Sequence, residues 1–342
     1  MIETATHTIA ATADRDDDPA AAAADWPAWP TYGLVEDLLP VLMRWRNAGR
    51  RAALATLVTI EGSSPRPLGS EMAVSDHGEV AGYVSGGCVE GAVAAHAAGV
   101  LAGGPPVMLD YGAGSPVLDV QLTCGGRIGI FVRALSDLDT YVDTLHAARR
   151  ARRAIDVTVD LDDGRHLFDT ALPPGRRGFR RQHLPPPRLV VAGGDPVTLA
   201  LCQLAPTFGF ETILLRPYGP SCAPPGTTLT HYDTRPLARA LSELHLDAHT
   251  AVYTLTHDLD DDDRVLAHAL ASPAFAIGAL GSRRKTRERA ARLRDAGFDA
   301  AAIDRLNSPA GLDIDARQPR EIALSVLAEL TTHRPHADAR TC

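Results

Sequence analysis

The 342-residue chain contains no C-x-x-C pair. Its five cysteines, Cys88, Cys124, Cys202, Cys222 and Cys342, are widely spaced and odd in number. That argues against a zinc ribbon, a ferredoxin-type iron–sulfur cluster and a disulfide framework, and points to a reducing, cytoplasmic home. No run approaches the roughly 18 uncharged apolar residues of a transmembrane helix. The 13 histidines include no H-E-x-x-H or H-x-H pattern, so a zinc enzyme is not indicated. A large charge imbalance is missing too. Lys and Arg total 34 against 42 Asp and Glu, a net charge of -8, which argues against a general nucleic-acid binder or a membrane-surface protein. Residues 1–30, biased to Ala, Asp and Pro, lack the basic and apolar regions of a secretory signal and read as a disordered tail.

What is present is ordinary for a globular protein: 45% hydrophobic and 22% charged residues, enough chain for two domains. LVEDLLPVLMRWR reads as an amphipathic helix that Pro40 kinks or restarts. The β-branched run 52–60 reads as a buried strand, and EMAVSDHGEVAGYVSGG as a hairpin around Asp76-His77-Gly78. An Ala-rich helix comes after Gly86-Gly87, then two strands and the helix DLDTYVDTLHAARRARR. These predict an α+β domain over 31–150. Residues 151–187 read as a hairpin with an Asp-Gly turn and a basic, Pro-rich linker. From 188 to 332 strands alternate with helices, which predicts a Rossmann-like parallel sheet with crossover helices and an α/β fold overall. Residues 333–342 read as a tail.

Five junctions carry candidate chemistry. In Ser85-Gly86-Gly87-Cys88-Val89-Glu90, paired glycines and a helix start favour an anion, and a thiol there is placed as a nucleophile or soft-metal ligand. The plainer alternative is a tight turn with a small buried Cys. Cys124-Gly125-Gly126 repeats the association before a strand, so both cysteines can be read as lining one site or as two packing residues. The loop EGSSPRPLGS, with Ser63 and Arg66, can hold a phosphate or be a plain loop. The turn VVAGGDPVT sits where a dinucleotide fingerprint belongs, yet only Gly193 fits it. Asp195 brings bulk and negative charge where a pyrophosphate approaches, and Arg216 stands where an acid would hold a ribose. The fifth junction is GALGSRRK, from Gly278 through Gly281, Ser282 and Arg283 to Lys285. There basic residues opening a helix imply either a bound anion or a solvated face.

ATLVTIEGSSPRPLGSEMAVSDHGEVAGYVSGGCVEGAV, YGAGSPVLDVQLTCGGRIGIFVRAL and the block from AFAIGALGSRRKTRERA to EIALSVLAEL together resemble the XdhC/CoxI family of accessory proteins for molybdenum hydroxylases. The resemblance covers most of residues 50–332. It implies a cytoplasmic chaperone, not itself an enzyme, that binds the molybdenum cofactor (molybdopterin) and works with a cysteine desulfurase. Delivery would be to a xanthine-dehydrogenase-type apoenzyme, and a homodimer is an option. Position by position, Cys88 and Cys124 match motif cysteines and are the candidate contacts to molybdenum or its sulfur. Glu90 matches the acid of the first motif, and Gly278, Gly281, Ser282 and Arg283 match the C-terminal strand-to-helix turn. Together with the loop and glycine residues read from the junctions above, the candidate cofactor contacts are Ser63, Arg66, Gly86, Gly87, Cys88, Glu90, Cys124, Gly125, Gly126, Gly193, Gly278, Gly281, Ser282 and Arg283.

The sequence departs from the family at Gly193-Gly194-Asp195-Pro196, where Gly-Ala-Gly-His is usual, at Arg216 in place of an acid, and at Asp315, where the family's Gly-Leu-Asp-Ile-Gly-Ala has glycine. The rival reading from the residues is an NADP-dependent oxidoreductase, supported by Arg216 and opposed by Asp195. A molybdenum hydroxylase proper fails on the cysteine arithmetic.

Overall fold

In a computed structural model, which describes residues 26–27, 29–115 and 125–342, the chain divides into two units within 1–138 and 139–342. Of the expected tail 1–30, residues 1–25 and 28 lie outside the described residues.

The first unit opens with helix α1 (Leu39–Asn47), where Pro40 sits in the first turn and starts the helix rather than kinking it. Five antiparallel strands come next: β1 (Ala52–Glu61), β2 (Glu71–Ser75), β3 (Val80–Gly82), β4 (Val107–Gly112) and β5 (Arg127–Ala134), in the order β3-β2-β1-β5-β4. Helix α2 (Glu90–Leu101) lies between β3 and β4 in sequence. Its Val93, Ala97, Val100 and Leu101 pack against Ala53, Ala55 and Leu57 of β1 and Ile128, Ile130 and Val132 of β5. The period-2 alternation of those strand residues gives the sheet its apolar face.

The second unit begins with α3 (Leu138–Arg150). The sequence reading placed this helix in the first domain. Its buried face instead meets later residues: the Tyr141 ring contacts His166 and Phe168. Just past its end, Arg152 pairs with Asp247 and with Glu211, the latter at 3.0 Å. Next come β6 (Ile155–Asp160), β7 (His166–Phe168) and β8 (Gly178–His183). The basic, Pro-rich stretch expected as linker therefore supplies a strand. The expected tail 333–342 supplies another, β15 (Ala339–Thr341), completing the order β15-β8-β6-β7. Cys342 N donates to the Gly178 carbonyl at 2.9 Å and Gly178 N to that of Cys342 at 2.8 Å, so backbone pairing, not side-chain pattern, recruits these residues.

Between them lies the doubly wound sheet: β9 (Arg188–Gly193), α4 (Pro196–Leu204), β10 (Glu211–Leu215), β11 (His231–Asp233), α5 (Leu237–Ser242), β12 (Thr250–Leu255), α6 (Leu259–Leu270), β13 (Ala276–Ala279), α7 (Arg283–Asp295), α8 (Ala300–Ile303), β14 (Leu306–Asn307) and α9 (Pro319–His333). The parallel order β11-β10-β9-β12-β13-β14 is the Rossmann order, with its switch point between β9 and β12. Leu189 and Val191 of β9 face the α4 and α9 side, whereas Val190 and Ala192 face that of α5, α6 and α7. Burial on both faces explains the continuous apolar strands.

One ion pair ties this sheet's carboxyl edge together. Asp262 of α6 and Arg289 of α7 have fully buried side chains. Arg289 Nε and Nη2 donate to Asp262 Oδ2 at 2.9 and 2.5 Å, and the hydroxyls of Thr254 and Thr256 donate to Oδ1 at 2.6 and 2.7 Å. Replacing Asp262 with Ala strands a buried guanidinium and should cost roughly 3–5 kcal/mol of stability. Urea unfolding of Asp262→Ala checks this, and an unmoved midpoint refutes it.

Candidate functional site

In the first unit a buried carboxylate shapes the turn before α2. Glu90 is fully buried. Its Oε1 accepts from Ser85 N at 2.8 Å and Val84 N at 3.2 Å, its Oε2 from Val89 N at 3.2 Å, and the Ser85 hydroxyl reaches both oxygens. Ser85 Oγ accepts in turn from Cys88 N at 3.2 Å. The acid in the first turn of α2 also suits the helix dipole. Gly86, Gly87 and Cys88 are thereby left exposed on a fixed turn, Gly87 with φ +100°.

Two further segments lie against this turn. A Cβ on Gly86 would stand 3.6 Å from Pro65 Cγ, which puts the 62–70 loop beside it. A Cβ on Gly126 would stand 1.9 Å from the Ser63 carbonyl oxygen, so only glycine permits that approach. The Arg66 guanidinium lies 4.3 Å from the centre of the Tyr83 ring and donates to its hydroxyl at 3.3 Å. The structure thus gathers Ser63, Arg66, Gly86, Gly87, Cys88, Glu90, Gly125 and Gly126 around one stretch of surface. Cys124 lies outside the described residues.

In the second unit the predicted residues lie along the carboxyl edge of the parallel sheet, where ligands of such folds bind. A Cβ on Gly193 would meet Thr198 Oγ1 at 2.5 Å, and one on Gly194 would meet Arg216 Nε at 2.6 Å. Asp195 caps α4 from within, its Oδ1 accepting from Thr198 N and Oγ1 at 2.7 Å each. An internal carboxylate thus takes a helix-start amide that a pyrophosphate uses in dinucleotide-binding members of the fold. Ser282 caps α7 weakly, accepting from Lys285 N at 3.4 Å. Gly278 lies inside β13 rather than in the turn, directly opposite Tyr253 of β12. A Cβ there would meet the Tyr253 ring at 2.2 Å, so its missing side chain makes room for that ring.

Sequence reasoning missed the carboxylates beneath these turns. Glu329 of α9 accepts from the Tyr253 hydroxyl at 2.5 Å and from Gly311 N at 2.9 Å, fixing the loop after β14. In the sequence Asp262 is one member of the acidic run 260–263 that starts α6. The capping acid is Asp258, which accepts from Asp260 N at 2.8 Å and Asp261 N at 3.1 Å. A signal was present: Asp262 shares the buried stripe of Val265, Leu266 and Ala269. Among the described residues no cluster of three or more His, Cys, Asp or Glu could hold a metal ion, and no helix is long and apolar enough to cross a membrane.

Residues 45–112 match the XdhC and CoxI family, and residues 189–330 match the XdhC Rossmann domain. The molybdenum cofactor insertion chaperone PaoD of Escherichia coli K12 is 31% identical over 301 residues, 86% of this chain and 87% of the relative. The chain belongs to the XdhC and CoxI family. A Bacillus subtilis 168 protein, named as a probable subunit of xanthine dehydrogenase, is 26% identical, over 83% of this chain and 93% of that one. YqeB of E. coli K12 is 27% identical over 81% of this chain, which spans 42% of that longer relative. A crystal structure described as a xanthine dehydrogenase from Bacillus halodurans has the same fold, with TM-score 0.72 at 23% identity, over 86% of this chain and 94% of that one. The turns around Ser63, Cys88 and Ser282 fall within the two family matches, whereas Gly125 and Gly126 fall between them.

Local geometry predicts two outcomes. Iodoacetamide should modify the exposed Cys88, Cys222 and Cys342 in the native protein. It should reach Cys202 only after unfolding, because burial pushes that thiol up to about 12; peptide mass spectrometry reads both. Asp315 has φ +54°. Replacing it with Gly should raise stability by about 1 kcal/mol, measured by urea unfolding, since a left-handed backbone strains any residue with a Cβ.

Proposed function

We propose that the protein is a molybdenum cofactor-binding chaperone that matures its cargo and delivers it to a xanthine-dehydrogenase-type molybdenum hydroxylase. The observation that carries this reading is the 31% identity along 87% of a relative named as a molybdenum cofactor insertion chaperone. The cargo pairs a metal and soft sulfur with a pterin and a phosphate. Exposed Cys88 on its glycine turn suits the soft end, with Cys124 as a second candidate thiol. Ser63, Arg66 and the amides around Gly86, Gly87, Gly125 and Gly126 suit polar edges and oxyanions. Gly193, Gly281, Ser282 and Arg283 are the candidate contacts of the Rossmann domain. Glu90 acts through the turn: it holds the Cys88 backbone by way of Ser85, and so sets where the thiol points.

In this reading the protein performs no net reaction on the cofactor by itself. A cysteine desulfurase supplies the sulfur, the chain shields the loaded cofactor from water, and the apoenzyme receives it, in the cytoplasm and with a homodimer as the working assembly. Against the oxidoreductase alternative stands Asp195, which already serves the first helix start of the Rossmann domain.

The test is copurification from a host that makes the cofactor. The wild-type protein should carry molybdopterin, detected by the fluorescence of its oxidised pterin, and Cys88→Ala should carry much less at equal yield of folded protein. A wild-type protein that carries no pterin from such a host overturns the reading.

A further inference from the structure

Several guanidinium groups around the Rossmann sheet meet a carboxylate, among them Arg152, Arg235, Arg289 and Arg292. The first turn of α7 instead places three consecutive cations at a helix start. Among the described residues Arg283, Arg284 and Lys285, the chain's single lysine, have no carboxylate partner. Cations at a helix start oppose its dipole, and that end of a helix favours an anion. The long helices at this edge solve the problem differently. Those after β9 and β12 are capped by the aspartates Asp195 and Asp258, whereas α7 has neutral Ser282.

Beneath the same turn sits Arg289, fully buried. Its Nε and Nη2 serve Asp262, and Nη2 also donates to the Leu280 carbonyl at 2.8 Å. Its Nη1 is buried with no hydrogen-bond partner. That atom faces the turn: a Cβ on Gly281 would stand 2.9 Å from it and 3.3 Å from Lys285 Cδ. Buried N–H groups without an acceptor are rare, and this one lies where a helix start, three cations and a glycine meet.

We propose that the start of α7 is a phosphoryl-binding site, formed by the first-turn amides with Arg283, Arg284 and Lys285, and backed by Arg289 Nη1. The ligand is a phosphate monoester or inorganic phosphate. Its tetrahedral oxygens accept from amides and from a guanidinium at once, and its dianionic charge is met by the three unpaired cations. Asp262 already balances the charge of Arg289, so Arg289 contributes a donor direction rather than net charge. Gly281 keeps the gap between that donor and the turn clear. Under the proposed function, on which this last step rests, the site would hold a phosphate of the cargo.

The lone lysine supplies the test. Reductive methylation with 13C-formaldehyde labels Lys285 and the N-terminal amine, and keeps the lysine charge. Inorganic phosphate, titrated against sodium chloride at matched ionic strength, should move the Lys285 signal saturably. Arg283→Gln combined with Arg284→Gln should weaken the apparent affinity by roughly tenfold or more. Arg289→Lys, which keeps a cation beside Asp262 and removes Nη1, should weaken it as well, any signal from the new lysine being assigned by its absence from the wild-type spectrum. Should that variant fail to fold, Gly281→Ala sets a methyl against Nη1 and serves the same purpose. A Lys285 signal that moves only with ionic strength overturns the site. A saturable shift left unaltered by Arg289→Lys and Gly281→Ala overturns the part given to Arg289. The two readings fail separately: phosphate binding without copurified pterin keeps the site and removes the cargo, and pterin without a phosphate response does the reverse.

Discussion

The pair of Asp262 and Arg289, sealed from water, is the constraint on which the working edge of the Rossmann domain depends. Two charges removed from water are tolerated only when their hydrogen-bonding capacity is met in good geometry. Asp262 meets this condition fully: one oxygen takes both guanidinium bonds and the other takes two threonine hydroxyls from β12 and the residues just past it. The pair therefore fixes α6, α7 and the ends of β12 and β13 relative to one another. The turn at Gly281 inherits its position from that arrangement, through the Leu280 carbonyl held by Arg289.

Two other buried acids hold turns directly. Glu90 lies under the Ser85–Cys88 turn and Glu329 under the Gly311 loop, each a buried acid that accepts backbone amides. A carboxylate with several acceptor sites can hold a glycine-rich turn in a conformation the turn would not keep alone. Glycine supplies close approach and freedom of φ, and the acid removes the freedom that is not wanted. The exposed surface of each turn then remains available, because the groups that define it are satisfied from below. This arrangement suits a protein that must present a thiol or an amide to a guest without committing it to an internal partner.

Much of this was legible in the sequence. Strand and helix periodicity, together with glycine punctuation, pointed to the parallel sheet and the antiparallel hairpin, since both faces of β9 are buried and the pattern is correspondingly continuous. The family motifs pointed to the turns at Ser63, Cys88 and Ser282. What escaped was pairing between distant segments. The stretch around Phe179 looked like a linker because Arg and Pro dominate it, yet backbone bonds to residues 339–342 make it a strand. The helix 138–150 was assigned to the preceding domain because nothing in its own amphipathic pattern names the partner of Tyr141. Gly278 passed for a ligand-turn residue because glycine leaves no mark to tell room for a ring from room for a ligand. Asp262 and Arg289 were hidden among like-charged neighbours, and only their place on an apolar stripe set them apart.

The strand at Ala339–Thr341 completes the sheet begun by residues 155–160, so that sheet is assembled from segments at opposite ends of the second unit. A ribosome makes β15 after every other strand described above. The first unit has all its strands long before then and can fold while the rest is still being made, since domains tend to fold as units in order of synthesis. The small sheet, in contrast, keeps the edge of β8 unpaired until the Rossmann segment between them has been synthesised. Its completion is therefore a late event, and the interval before it is when that edge is open to pairing with a neighbouring nascent chain.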